Sequence, residues 1–152
     1  MRKSAGILLY RYTEVRQMSF FLVHPGGPFW KGKDAGAWSI PKGEYDQEEP
    51  LAAAIREFSE ETGQVPEGAF IPLTPIKQKG GKEVRAWAVE GDFDPDKLVS
   101  NTFSMIWPPR SGKMQTFPEV DRGSWFLLPE AKEALNPAQH PFLDELLLKL
   151  KP

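Results

Sequence analysis

The stretch that most constrains this chain runs from Gly43 to Val65, GEYDQEEPLAAAIREFSEETGQV. It has the marks of a helix with defined ends. Asp46, Glu48 and Glu49 precede or open it, where the positive end of the helix dipole favours negative charge. Pro50 suits the first helical position, because its missing N–H would have no partner there. Gly63 suits the left-handed residue just past the end. Between them Leu51, Ala54, Ile55, Phe58 and Thr62 recur at helical spacing and make one largely apolar face.

The same helix carries acid at its unfavourable end. Glu57, Glu60 and Glu61 stand at i, i+3 and i+4, so their side chains share a face. Glu57 and Glu61 form a like-charge pair, which costs a helix about 0.2–0.5 kcal/mol. Glu60 and Glu61 also occupy the last turn, where the dipole favours cations. Arg56, four residues before Glu60, is the local relief. Two readings fit. The acids form a solvated face, or they gather around a divalent cation that cancels their repulsion. Oxygen-only ligands suit Mg²⁺ or Mn²⁺.

Composition narrows the rest. A chain of 152 residues predicts a single domain, 1–152, large enough for a proper core. The formal charge of −2 gives no bulk attraction to nucleic acid. With no cysteine, disulfides, thiolate metal sites and thiol nucleophiles are excluded. The apolar run in MRKSAGILLYRY is too short for a signal peptide, and no stretch approaches a membrane span. A cytoplasmic protein is therefore expected.

Strands are predicted at Ser4–Tyr12, Ser19–His24 and Val84–Val89, with shorter ones at Trp38–Ile40, Phe70–Leu73, Asn101–Trp107 and Ser124–Leu128. The Gly/Pro-rich segment Pro25–Gly36 reads as a loop, Lys77–Lys82 as a basic turn and Pro108–Gln115 as a basic loop. Pro129–Leu135 and Pro141–Leu150 are predicted helices. A hairpin first and then strands mixed with helices argue for an α+β layered domain.

Gly43, an upstream acid, Arg56-Glu57-Phe58-x-Glu60-Glu61-x-Gly63 and a following aliphatic residue together resemble the Nudix box. The family pattern places five residues between the glycine and the first glutamate, and seven between that glutamate and the Arg-Glu pair. The present span is one residue shorter. Counting forward from Gly43 selects Glu49 as the first acid; counting back from Arg56 selects Glu48. Phe58 stands where the family has an aliphatic residue. The resemblance implies an α/β/α sandwich with a mixed sheet and an Mg²⁺-dependent pyrophosphohydrolase cutting P–O–P bonds in nucleoside diphosphate derivatives. Carried over residue by residue, Glu57, Glu60 and Glu61 would bind metal, with the Lys42 carbonyl as a further oxygen. Arg56 would orient a box glutamate, and Gly43 would permit close backbone approach.

The run Trp38 to Gly43 is similar to the branches acting on dinucleoside polyphosphates and diphosphoinositol phosphates. Lys42 could hold a distal phosphate as a point charge, or be a solvated loop lysine. Lys31, Lys33, Lys77, Lys79, Lys82, Arg110 and Lys113 lie in loops and would suit a polyphosphate tail or form ordinary surface charge. Phe29 and Trp30 offer either a stacking platform for a base or core packing, the commoner fate of such residues. A dinucleoside polyphosphate is the expected substrate. A nucleoside triphosphate pyrophosphatase and a non-hydrolytic nucleotide sensor are the alternatives. His24 and His140 receive no catalytic role. Family members often recruit a further acid from a remote loop, and Glu119 is preferred here over Asp121, which reads as a turn acid with a local partner. Glu83 and Glu90 stand in reserve.

Overall fold

A computed structural model describes residues 2–151. Its centre is β1 (Lys3–Tyr12), whose residues from Ser4 to Tyr10 are all buried. A strand hidden on both sides must be covered on both faces, and this one is. Leu8 and Tyr10 point into one apolar cluster, while Ala5, Ile7 and Leu9 point into the other.

Around β1 the sheet is mixed. β2 (Met18–Pro25) pairs antiparallel with its second half, Leu9 opposite Phe21. β3 (Lys42–Tyr45) pairs antiparallel with its first half, Gly6 opposite Lys42. Two short strands, β4 (Ile71–Pro72) and β5 (Ile76–Gln78), lie antiparallel on β6 (Lys82–Glu90). β6 itself runs parallel to β1, Ile7 opposite Trp87. A separate antiparallel hairpin is made by β7 (Thr102–Ile106) and β8 (Met114–Pro118). β9 (Val120–Leu127) then closes the main sheet against β2, completing seven strands.

Helix α1 (Pro50–Thr62) covers one face with Ala53, Ala54 and Phe58 against Ile7, Phe21 and Phe93. Helices α2 (Leu128–Ala134) and α3 (His140–Lys149) cover the other, with Ala131, Phe142, Leu143 and Leu146 against Leu8, Phe20 and Leu22. The result is the α/β/α sandwich with a mixed sheet.

Some expected elements shift. The strand expected at Trp38–Ile40 is reduced to isolated bridges, Ser39 to Val23 and Trp38 to Leu135. Ile40 donates its N–H to the Gln139 side chain at 3.0 Å, and Pro41 has no N–H to give. Regular pairing therefore begins only at Lys42. The basic loop predicted at Pro108–Gln115 ends inside β8. That strand lacks a buried face and so an apolar alternation, its only half-buried residue being Phe117. β9 starts four residues earlier than expected because its first half is edge-exposed and polar. Among the described residues no helix is long and apolar enough to cross a membrane.

The ends of α1 are capped as the sequence predicts. Glu49 accepts the Ala52 N–H at 2.9 Å, and Gly63 adopts φ 84°, donating its N–H to the Ser59 carbonyl at 2.8 Å. A Cβ at Gly63 would also press on Val99 at 3.1 Å. Gly63→Ala is therefore expected to cost about 1–2 kcal/mol. Urea denaturation measures it; an unchanged midpoint would contradict the cap.

Candidate active site

The site forms where the last two turns of α1 meet β3. Burying Glu57 there depends on a missing side chain. The Glu57 carboxylate lies directly against the Gly43 Cα, in the space that any Cβ would occupy. Glycine is needed at this point for close approach, not for an unusual backbone angle. Glu61 accepts the Lys42 backbone N–H at 3.3 Å. The helix and strand thus clamp two carboxylates side by side, and Glu57 and Glu61 are only 7% and 9% exposed. The apolar face of α1 therefore continues into a buried acidic one.

A third carboxylate comes from far along the chain. Glu119 is the single residue between β8 and β9. Each Glu119 main-chain polar group is held: its N–H donates to the Asn101 carbonyl at 2.8 Å, and its carbonyl accepts from Gly26 N–H at 2.8 Å. Asn101 is itself fixed to the end of α1, donating its N–H to the Glu60 carbonyl at 2.7 Å, while Val99 donates to the Thr62 carbonyl at 3.0 Å. These bonds use carbonyls that a helix C-terminus leaves without intrahelical partners. The same segment that caps α1 thus positions Glu119. Carboxylate oxygens of Glu57, Glu61 and Glu119 lie within 4.8 Å of one another. The Glu119 carboxylate has no hydrogen-bond or ion-pair partner among the described residues.

Glu60 borders this group. Its oxygens receive Arg56 Nη1 at 2.6 Å and Asn101 Nδ2 at 3.3 Å. Arg56 spans the acids: Nη1 also donates to Glu57 at 2.8 Å, and Nη2 and Nε reach Glu48 at 2.6 and 3.0 Å. Of the two first-acid assignments, the one counted back from Arg56, Glu48, meets the arginine, while Glu49 is spent on the helix cap. The shorter span is absorbed before the helix, and the register of Arg56 to Gly63 is unchanged. Arg56 is both the ion-pair partner of Glu60 and the group that orients Glu57. Glu48 and then Glu60 hold its guanidinium more firmly charged than usual.

Electrostatically the three carboxylates are crowded. Burial first, then the charge of Glu57, pushes the Glu61 carboxyl well above its ordinary value. Burial also raises Glu57 against the opposing pull of Arg56, and burial followed by the charge of Glu60 raises Glu119. Lys42 moves the other way, lowered by burial and then by Lys82. An oxygen-only set whose members repel one another is the donor chemistry a hard divalent cation takes.

A cleft of about 290 Å³ opens beside the carboxylates. Lys42, Lys82, Glu61, Glu119, Trp30 and Trp38 all contribute to its wall. Of the seven loop cations singled out in the sequence, Lys82 lines this cleft. Lys33 instead places its ammonium 5.5 Å from the Trp30 ring. The core-packing reading of Phe29 and Trp30 is corrected: they are 60% and 39% exposed, because the Pro25–Gly36 loop stands off the sheet. The reading of Asp121 as a turn acid is corrected too. Asp121 lies on β9 and meets Nδ1 of the buried His24 at 3.0 Å, while His24 Nε2 donates to the Lys33 carbonyl at 2.6 Å. His24 thereby ties the Trp30 loop to the sheet. Asn101 and the buried Gln139, which bridges Ile40, Ser39 and Gln78 at the back of the cleft, were not legible as site residues. The partners of their side chains are 41 to 100 positions away, and neither lies in a local pattern.

Comparison with known proteins agrees with this geometry. A family model described as NUDIX domain matches residues 2–146. Comparison with curated protein sequences gave no significant match. The fold is similar to an Ap4A hydrolase from C. elegans, seen in a binary complex, at 22% identity and TM-score 0.61, covering 97% of this chain and 98% of that one. It is similar to the NUDIX domain of Shewanella oneidensis NrtR complexed with ADP ribose, at 16% identity and TM-score 0.59, covering 97% and 86%. A mutT/nudix family protein from Listeria innocua matches at 16% identity and TM-score 0.61, covering 97% and 95%.

The raised carboxyls make metal-free stability pH-dependent. A folded-state pKa above the unfolded value means the folded protein prefers the protonated acid. Stability is therefore lost as pH rises from the ordinary glutamate value of 4.5 through the raised Glu61 value. Glu61→Gln removes that loss. The melting temperature of the variant in EDTA is expected to exceed that of the wild type by a margin that widens from pH 4.5 upward. A margin that is constant or narrows with pH would contradict the crowding.

Proposed function

This chain belongs to the Nudix family as a pyrophosphohydrolase, and from that premise we propose that it hydrolyses dinucleoside polyphosphates with Mg²⁺ held by Glu57, Glu60, Glu61 and the Lys42 carbonyl. The observation carrying the substrate class is one cleft in which Lys42 and Lys82 sit with Trp30 and Trp38 beside Glu61 and Glu119. Two ammonium groups suit a phosphate chain longer than a diphosphate, and the exposed Trp30, unlike the buried Trp38, suits a base.

The donor chemistry fits a divalent cation: Glu57, Glu61 and Glu119 bring carboxylate oxygens within 4.8 Å of one another, and Glu60, bonded to Arg56 and Asn101, borders them. When bound, the cation neutralises phosphate charge and makes water a better nucleophile. The remaining roles belong to the chain. Arg56 keeps Glu57 oriented by a charge-assisted hydrogen bond. The Lys42 N–H does the same for Glu61, and the Lys42 carbonyl is a further oxygen at the strand edge. Glu119 is the carboxylate left without a partner, at the cleft wall. It acts as the base that takes the proton from the attacking water, its carboxyl raised toward the working range by burial. Lys42 and Lys82 hold the distal phosphates, and Trp30, with Lys33 over its ring, receives a base.

Three measurements test this. Glu57→Gln and Glu61→Gln are expected to abolish Mg²⁺-dependent turnover while the far-ultraviolet circular dichroism stays unchanged; near-normal turnover in either refutes the metal assignment. Glu119→Gln is expected to lower kcat by about 10²–10⁴-fold at saturating Mg²⁺, with Asp121→Asn much milder. A Glu119→Gln kcat within a few-fold of wild type removes Glu119 as the base. On a substrate panel, dinucleoside tetra- and pentaphosphates are expected to exceed ADP-ribose in kcat/KM, and the reverse order refutes the substrate class.

A further inference from the structure

The β7–β8 hairpin is the one pair of strands outside the main sheet. It leans on the Pro25–Gly36 loop, and the contact is close. The space a Cβ would need at Gly26 is taken by the Pro118 carbonyl, and Phe29 meets Trp107 edge to face with ring centres 5.4 Å apart. Their junction, where Gly26 meets Pro118, forms a partition between two hollows. On one side is the cleft with Trp30, Glu61 and Glu119. On the other is a second, larger hollow of about 490 Å³, to which Lys31, Trp107, Gln115, Phe117, Pro118 and Asp121 contribute. Its size is in the range of small-molecule sites, roughly 300–1,000 Å³. Pro118 lines the second hollow and its chain neighbour Glu119 lines the first, so a single residue step separates them.

The second hollow has the chemistry of a nucleoside site. Trp107 and Phe117 supply aromatic surface. Gln115, fixed by donating to the Trp107 carbonyl at 2.7 Å, and Asp121 supply polar groups at the rim. The Asp121 charge is already engaged by His24, and Lys31 supplies the cation for a phosphate arriving from the neighbouring cleft. The substrate class put forward above has two nucleosides joined by a phosphate chain, and the first cleft accounts for only one.

We propose that the hollow between the Pro25–Gly36 loop and the β7–β8 hairpin binds the second nucleoside of a dinucleoside polyphosphate, with Trp107 as the stacking surface and Lys31 contacting the phosphate chain as it crosses the partition. This rests on the dinucleoside reading. It assigns selectivity for two-headed over one-headed substrates to the hairpin, an element remote in sequence from Glu57, Glu60 and Glu61.

The test compares diadenosine tetraphosphate with adenosine 5′-tetraphosphate, which has the same number of phosphates and lacks the second nucleoside. Base–aromatic stacking is worth about 1–3 kcal/mol, so Trp107→Ala is expected to lower the two-headed to one-headed kcat/KM ratio by roughly five- to hundredfold, mainly through KM. Lys31→Ala is expected to lower the same ratio less. Met114→Ala, at an exposed hairpin position outside the hollow, is the control expected to leave it unchanged. Melting curves identify any variant that fails to fold. If Trp107→Ala and Lys31→Ala both leave the ratio at the wild-type value, the second site is overturned and the dinucleoside reading stands. If the wild-type enzyme does not turn over the two-headed compound, both fall.

Discussion

The structure turns on the burial of two like-charged glutamates where α1 meets β3. Glu57 fits only because residue 43 has no side chain, and Glu61 only because the Lys42 N–H faces it. A helix packed for stability alone would put an aliphatic residue at both positions, since they continue its apolar face. Keeping charge there imposes a desolvation cost, which pushes both carboxyls above their ordinary value. Arg56, locked between Glu48, Glu57 and Glu60, offsets part of it.

The second constraint is how the C-terminus of α1 is completed. Its exposed carbonyls are taken by Val99 and Asn101, and that same segment passes the position of Glu119 on through one further hydrogen bond. Capping and site assembly are one set of contacts. The position of the third carboxylate is thereby set by backbone hydrogen bonds, which vary less in length than long side-chain contacts do. Its carboxylate is left without a hydrogen-bond or ion-pair partner among the described residues.

The loop after β2 and the β7–β8 hairpin stand beside the cleft, outside the layers of the sandwich. Both are exposed, both are anchored at their bases, and both are rich in aromatic and basic residues. His24, buried beneath the loop and bonded to Asp121 and Lys33, couples the two anchors across almost a hundred residues. The loop and hairpin also hold Glu119, through the Gly26 N–H and the end of β8, so their placement bears on the carboxylate geometry itself.

The amino-acid sequence alone determined the elements whose signal is local. The α1 boundaries follow from Pro50 and Gly63, the two long central strands from their apolar runs, and the shared helix face of Glu57, Glu60 and Glu61 from their spacing. It also singled out Glu119, through the tethering expected of Pro118 and Trp125. What it could not determine has no local signature. β8 was invisible because neither of its faces is buried. Ser39 and Ile40 fail to form a regular strand because a glutamine 99 residues from Ile40 takes the Ile40 N–H. Asp121 has the neighbours of a turn acid, yet pairs with a histidine on the adjacent strand. The exposure of Trp30 depends on where its loop stands, and the choice of Glu48 over Glu49 depends on how far Arg56 can reach once α1 is docked. Each of these was decided by tertiary structure, because the partner that satisfies the group arrives from another part of the chain.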